Sequence, residues 1–333
     1  MLRQPHEAAV AVSEPYPSAY NTGVQLRQAL QQAITKLEAA GIDAARLSAE
    51  VLAFHVLGYD RAYLYAHPER LLTEAELAQY ESLVERRAAG EPLQYLTGHQ
   101  EFWGADFLVT PSVLIPRPET EHLVEAVLEL VRAFAVPRAG NEPTPGHPIS
   151  PQSWAYANSG PPEEHRLKII DVGTGSGAIA VSLVRELPNA EVYAVDLSSE
   201  ALDVARRNAE RLGARVQFAQ SDVLDSVVRD ASFDFVVSNP PYVGLNEADK
   251  VQSVVKDYEP HMALFAGVEG LAVIRRLIPQ SCDALRPGGW LLMEIGYSQS
   301  EAVMALLAGW DKVHAIADLA GIPRVIAAQK PLT

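Results

Sequence analysis

Leu167-Lys168-Ile169-Ile170-Asp171-Val172-Gly173-Thr174-Gly175-Ser176-Gly177 is a short apolar run followed at once by three glycines on alternate positions. The run reads as a buried strand, Leu167 to Val172, and Gly177 to Leu187 as the helix behind it. Glycines at such a turn let the backbone approach a ligand closely, and a helix N-terminus offers amide donors. Downstream the pattern repeats. Glu191 to Asp196 is a second strand, and Ser199 to Leu212 a helix closed by Gly213. Arg215 to Ala219 and Phe233 to Ser238 are the third and fourth strands. A helix near Gly270 to Leu285 runs through Arg286-Pro287-Gly288-Gly289 into a fifth strand, Trp290 to Ile295. Lys312 to Asp318 and Arg324 to Gln329 form an antiparallel pair at the sheet edge. The expected fold class is α/β, a doubly wound, mostly parallel, seven-stranded, Rossmann-like sheet.

Chemistry concentrates at the strand ends. Gly173, Thr174, Gly175, Ser176 and Gly177 would bind a nucleoside cofactor through the loop. Asp196, ending the second strand, would accept from ribose hydroxyls. Asp222 could accept from an adenine amino group, with Val223 against the ring. Gly173-x-Gly175-x-x-Ala178 also satisfies the dinucleotide fingerprint, so alone it does not separate a nicotinamide enzyme from a methyltransferase. After the fourth strand comes Ser238-Asn239-Pro240-Pro241-Tyr242. Two prolines fix φ and remove backbone donors, and Asn239, preceding a proline, is held extended. A stiff loop carrying an amide and an aromatic ring suits the grip of one small planar group.

Upstream the periodicity is helical. Thr22 and Gln25 suggest a capping box for a helix with Leu26, Leu30, Ile34 and Leu37 on one face, ended by Gly41. Asp43 to Val56 presents Leu47, Val51 and Phe54 and stops at Gly58. A third helix lies near Arg61 to Ala66. Thr73 and Glu76 cap a fourth, with Leu77, Tyr80, Leu83 and Val84 inward. Together they make a small bundle. Glu101-Phe102-Trp103 and Asp106-Phe107-Leu108-Val109 flank Gly104-Ala105, a hairpin signal, with Phe102 and Trp103 assigned to its core. In Val113 to Glu121, Pro118 suits a first helical position with acidic residues in the first turn. The helix that follows buries Leu123, Val127, Leu130 and Phe134. The expected organisation is a loose tail over 1–21, a helical bundle over 22–90 and a hairpin joint over 91–117. A catalytic domain spans 118–333, with a surface insertion at about 137–165, rich in Pro, Gly, Ser and Asn, of no assigned function.

Composition narrows the function. The 333 residues carry a formal net charge of -15, against the basic face of most nucleic-acid binders. Cys282, the single cysteine, makes neither a disulfide framework nor a thiolate cluster and reads as a small buried hydrophobe. The nine histidines are scattered and no metal site is expected. No apolar run approaches the roughly 18 residues a span needs, so a cytoplasmic, reducing setting is expected. Nothing demands more than a monomer.

The glycine loop, the acid after strand two and Asn239-Pro240-Pro241-Tyr242 after strand four together resemble the class I S-adenosylmethionine-dependent methyltransferases that modify planar nitrogens. Pro92-Leu93-Gln94-Tyr95-Leu96-Thr97-Gly98, the Ile115 to Glu121 segment, Tyr258-Glu259-Pro260, Ala263-Leu264 and Gly270-Leu271 narrow this. From about residue 24 to 330 the chain resembles the release factor glutamine methyltransferases, the HemK/PrmC family. It departs from them in the tail and in the long insertion. The resemblance implies S-adenosylmethionine as cofactor and peptide chain release factors as protein partners. It implies that Asn239 and Pro240 accept the two N–H bonds of a glutamine amide, and that Tyr242 packs on its plane while Pro241 stiffens the loop. Asn239 is shared with the cofactor site. Arg117, Glu119 and Glu121 are weaker candidates that a charged helix start explains about as well. A base-amino nucleic-acid methyltransferase is the alternative reading, and a non-catalytic cofactor-binding protein a third.

Overall fold

The computed structural model describes residues 23–135, 166–227 and 231–332. The tail, Thr22 and the 137–165 insertion lie outside the described residues. The chain divides into two compact units, Met1–Ala89 and Gly90–Thr333.

The first unit packs α1 (Leu26–Ala39), α2 (Ala45–Leu57), α3 (Arg61–Ala66) and α4 (Glu74–Ala88). Helix α1 starts one turn later than a Thr22 cap would place it, with Gln25 at the N-cap and its amide donating to the Gln28 side chain. Thr73 and Glu76 do form the capping box of α4. The α2 face is a correction. Leu47 is half exposed, and Ser48, Ala49, Glu50, Leu52 and Ala53 face inward instead. The helix begins later than Asp43, and buried Glu50 takes a 2.7 Å bond from the Tyr65 hydroxyl and pairs with Arg61.

The second unit opens with α5 (Leu93–Thr97) and the hairpin β1 (His99–Phe102) and β2 (Ala105–Leu108). Trp103 and Gly104 turn it at φ +51° and +63°, the paired positive values that match strand twist. Phe102 and Phe107 are buried, and Trp103 packs at the core margin. Pro118–Thr120 is a single tight turn feeding α6 (Glu121–Ala135). Leu123 and Val127 are buried there and Leu130 half-buried, while the Phe134 side chain lies outside the description.

Then come β3 (Lys168–Val172), α7 (Ala178–Glu186), β4 (Glu191–Asp196), α8 (Ser199–Arg211), β5 (Val216–Gln220) and β6 (Phe233–Ser238). They are followed by α9 (Ser253–Tyr258), α10 (His261–Leu264), α11 (Ala272–Ala284), β7 (Leu285–Glu294), α12 (Ser300–Leu306), β8 (Asp311–Ala317) and β9 (Pro323–Gln329). The sheet order is β5-β4-β3-β6-β7-β9-β8, seven strands of which β9 alone runs against the others. Strand β7 begins earlier than Trp290, because Arg286 to Gly289 continues it past an irregular register with β6. Period-two alternation splits the core. Ile169, Phe235 and Leu292 face α6 and α7, whereas Ile170, Val236 and Leu291 face α11 and α12. Each such side chain, fully buried, contributes about 1.5–3 kcal/mol. Cys282 is half-buried beside fully buried Ser281 on α11, at the margin of the core rather than in it. Among the described residues, no helix is long and apolar enough to cross a membrane.

The order reverses between β3 and β6. Val172 is in register with both Val195 and Ser238, Asp196 with Gln220, and Ser238 with Met293. The loops after β3, β4, β5, β6 and β7 therefore leave one edge of the sheet together, the crevice where open α/β sheets bind ligands.

Candidate active site

The glycine loop is held by its own backbone. The Gly173 and Thr174 amides donate to the Val195 carbonyl at 2.8 and 2.9 Å, and Gly175 donates to Asp196 Oδ2 at 2.8 Å. These amides, expected to face a ligand, are spent on the turn. Thr174 and Ser176 are buried, Thr174 donating its hydroxyl to Asp171 at 2.6 Å. What Gly173 and Gly175 contribute is room: at φ +73° and +56°, neither would bring a Cβ within 4 Å of other atoms. Gly177 serves packing, since its Cβ would stand 3.1 Å from that of Ala205 on α8. Asp171 clamps the turn to the helix behind it by also accepting from the Ala180 amide at 3.2 Å. Complete burial pushes its carboxyl up to about 7.

Asp196 lines the open side of this turn. Its Oδ1 accepts from the Ser198 amide at 2.9 Å, and burial raises its carboxyl above the ordinary range. Both oxygens retain lone pairs for a diol. Leu197, next in sequence, is half exposed, an apolar surface beside a carboxylate that the sequence reading passed over. Asp222 faces Arg276 at 2.8 Å, so its expected partner shares it with a guanidinium. Val223 is buried at φ +54°, a left-handed conformation rare for a β-branched residue. An open glycine turn, an acid for a ribose and an apolar neighbour fit a nucleoside.

The Asn239 loop abuts that turn, tied to it by the Ser238 hydroxyl, which donates to the Val172 carbonyl at 2.7 Å. Asn239 donates Nδ2 to Thr120 Oγ1 at 3.1 Å. Its Oδ1 and the Pro240 carbonyl take no bond from any described residue. Two free acceptors, one side chain and one main chain, therefore stand at adjacent positions. The half-buried Tyr242 donates its hydroxyl to Glu294 Oε1 at 3.1 Å, and burial, then the Glu294 charge, push the phenol up. Glu294 ends β7 almost wholly buried, which raises its carboxyl, and its Oε2 is buried without a hydrogen-bond partner. Behind the loop, Gln299 Nε2 donates to the Tyr242 carbonyl at 2.9 Å and Val243 bridges to the segment around Phe265.

The three weaker candidates separate. Arg117 pairs with buried Glu259, whose other oxygen accepts from the Ile115 amide at 3.2 Å, and its charge reaches Tyr242. Glu119 is exposed, with its charge felt at Glu294. Glu121 turns away and accepts from the Trp103 amide at 2.8 Å, fastening the hairpin turn. Thr120 and Glu294 were not singled out from sequence. Thr120 was hidden between two charged candidates. Glu294 carried the same signal as Asp196, an acid at the end of a buried strand.

Comparison with known proteins gives the family. The PrmC N-terminal domain family matches residues 28–98, and the methyltransferase small domain family matches residues 160–259. A release factor glutamine methyltransferase of Koribacter versatilis is 50% identical over 306 residues, 92% of this chain and 99% of that one. One from Geobacter sulfurreducens is 39% identical over 303 residues, 90% of this chain and 95% of that one. The solved hMettl16 catalytic domain, in complex with the MAT2A 3'UTR hairpin 6, is similar at TM-score 0.50 and 16% identity. That alignment covers 83% of this chain and 93% of that one, and at such identity the likeness is of fold alone. Identical at half of the positions aligned with a relative matched almost end to end, the chain belongs to the release factor glutamine methyltransferase family, and its cofactor is S-adenosylmethionine.

Proposed function

We propose that this enzyme methylates the side-chain amide nitrogen of the glutamine in the Gly-Gly-Gln motif of bacterial class I peptide chain release factors. The observation that carries the reading is the pair of unengaged acceptors, Asn239 Oδ1 and the Pro240 carbonyl, on a loop stiffened by two prolines. A primary carboxamide presents two N–H donors in one plane, and these acceptors match them. The proposed docking element for the protein substrate is the helical bundle, and the setting is the cytoplasm, where release factors act. The open glycine turn, Asp196 and Leu197 would hold the adenosine part of S-adenosylmethionine.

An amide nitrogen is a poor nucleophile because its lone pair is delocalised into the carbonyl. Accepting both N–H bonds fixes the nitrogen and favours the positive charge that grows on it during attack. Holding it in line with the transferred methyl contributes on the order of 7–11 kcal/mol through positioning alone. The cofactor supplies a methyl group on a sulfonium, a leaving group that departs neutral. The alkylated nitrogen then sheds one proton to solvent, being acidic enough to need no strong base. Tyr242 closes one side of the amide slot, its hydroxyl anchored on Glu294.

The test is transfer of radiolabelled methyl to a purified release factor, beside a copy with the motif glutamine changed to Ala, duplex DNA and ribosomal RNA. Label on the unaltered factor alone is the expected result. Label on nucleic acid would establish the base-amino alternative and overturn the substrate assignment.

A further inference from the structure

The turn after β5 puts two carboxylates, Asp222 and Asp225, into one small loop. It is closed by the Asp225 amide, which donates to the Asp222 carbonyl at 3.1 Å. Like charges so placed repel each other. Val223 between them stands at φ +54°, a conformation that a β-branched residue keeps only when its surroundings impose it. The imposing contacts come from α11. Gln280 Oε1 accepts from the Leu224 amide at 2.7 Å, and Gln280 Nε2 donates to Asp225 Oδ1 at 2.9 Å. Arg276, one helical turn earlier on the same face, lies 2.8 Å from Asp222 Oδ2 and 3.2 Å from Asp225 Oδ2. Leu277 and Ile278, between these two polar side chains in sequence, are buried in the core beneath the sheet. The pair therefore projects from a fixed support.

As a stability device the ion pairs are weak. The Arg276, Asp222 and Asp225 side chains are 44%, 46% and 49% exposed, and pairs in contact with water contribute little to folding. What the guanidinium fixes is direction. It carries donors and no acceptor, so it claims one oxygen of Asp222. The other, Oδ1, takes no bond from any described residue. A carboxylate held in this way presents an acceptor to the amino group of a base. The 6-amino group of adenine donates to it, whereas the 6-carbonyl of hypoxanthine would set oxygen against oxygen.

We propose that Arg276 is a specificity-determining positioning residue for the cofactor: it anchors Asp222 Oδ2, offsets the Asp222–Asp225 repulsion and so aims Oδ1 at the amino group of adenine, while Gln280 holds the backbone of the turn. This rests on the reading of Asp222 as the adenine acceptor, and it involves no protein substrate.

The test is calorimetry on the full chain with S-adenosylhomocysteine, the demethylated cofactor, and with its inosine counterpart. The wild type should favour the adenosine form about tenfold or more, the equivalent of one hydrogen bond to a charged group. Arg276→Met should lower that ratio about threefold or more, with the urea midpoint nearly unchanged. Asp222→Asn gives the sharper readout. With Arg276 in place, the guanidinium holds the amide oxygen and turns the nitrogen toward the base, so preference should pass to the inosine form. Adding Arg276→Met frees the amide to turn, and the two ligands should then bind within about twofold of each other. A merely structural Arg276 would move the urea midpoint and leave these ratios alone. An unaltered ratio in Arg276→Met, or Asp222→Asn behaving alike with and without Arg276, overturns the proposal. If Asp222→Asn changes the ratio and Arg276→Met does not, the adenine reading of Asp222 stands and the Arg276 role fails alone. A wild type that binds both ligands equally refutes both.

Discussion

Gly270→Ala should damage catalysis from behind the active site. Gly270 sits at φ +75°, and a Cβ there would stand 2.1 Å from the Tyr242 carbonyl oxygen and 2.7 Å from Gln299 Nε2. Two costs add. Ala in the left-handed region costs about 1–2 kcal/mol. Displacing the Tyr242 carbonyl breaks its 2.9 Å bond from Gln299, about 0.5–1.5 kcal/mol more. Repacking of the loop, about 1–3 kcal/mol, brings the total to about 2.5–6.5 kcal/mol. Gly213→Ala is the control, because Gly213 has φ +66° and no atom within 4 Å of its Cβ, so it should cost only the conformational 1–2 kcal/mol or so. Urea unfolding followed by tryptophan fluorescence suits the comparison, since all four tryptophans lie beyond residue 90 and report on the second unit. Gly270→Ala should also lower kcat with cofactor affinity kept, and Gly213→Ala should do neither. Equal destabilisation by the two variants, with kcat unchanged in both, would refute the account of loop support.

Asp171 gives stability a pH dependence. Its carboxyl is raised from 3.8 to about 7 by burial, so between those values the folded state holds a proton that the unfolded state releases. Stability contributed this way is fully present below about pH 4 and is lost as pH rises through about 7. Asp171→Asn should therefore flatten the urea-midpoint profile across that window by about 1.4 kcal/mol per pH unit; parallel profiles would contradict the assignment. Asp196→Ala should weaken cofactor binding about tenfold or more by calorimetry, through loss of the ribose acceptor and of the Gly175 tether; unchanged affinity would remove Asp196 from the site. Glu121→Ala should leave kcat and cofactor affinity unaltered while costing about 1 kcal/mol of stability, because it bonds the hairpin turn rather than the ligand. A large kcat loss in that variant would return Glu121 to the site.

The sheet was legible because its signals are local. Apolar runs ending in Gly173, Asp196 and Asn239 mark strand ends, and a doubly wound order brings those ends together. Errors arose where a local signal was overruled by distant contacts. Pro287-Gly288-Gly289 looks like a turn, yet it continues β7, where Gly289 allows a close approach to the Asp234 carbonyl. Leu47 looked inward by spacing, but Glu50 takes the inward position because Tyr65 and Arg61 satisfy its charge. The loop amides of Gly173 and Thr174 looked free, and β4 claims them. Thr120 and Glu294 met Asn239 and Tyr242 only through folding, across separations of 119 and 52 positions.

The central claim is that the Asn239 carboxamide, with the Pro240 carbonyl, grips a glutamine amide. The most direct test is single-turnover methyl transfer to a release factor at saturating S-adenosylmethionine by wild type and Asn239→Ala, with the modified residue located by mass spectrometry. The account predicts one methyl on the glutamine of Gly-Gly-Gln with the wild type. It predicts a rate about 10²–10³-fold lower for the variant, comparable to removing one transition-state hydrogen-bonding group, at unchanged cofactor affinity. A variant that transfers at the wild-type rate, or a wild-type methyl on any other residue, would contradict it.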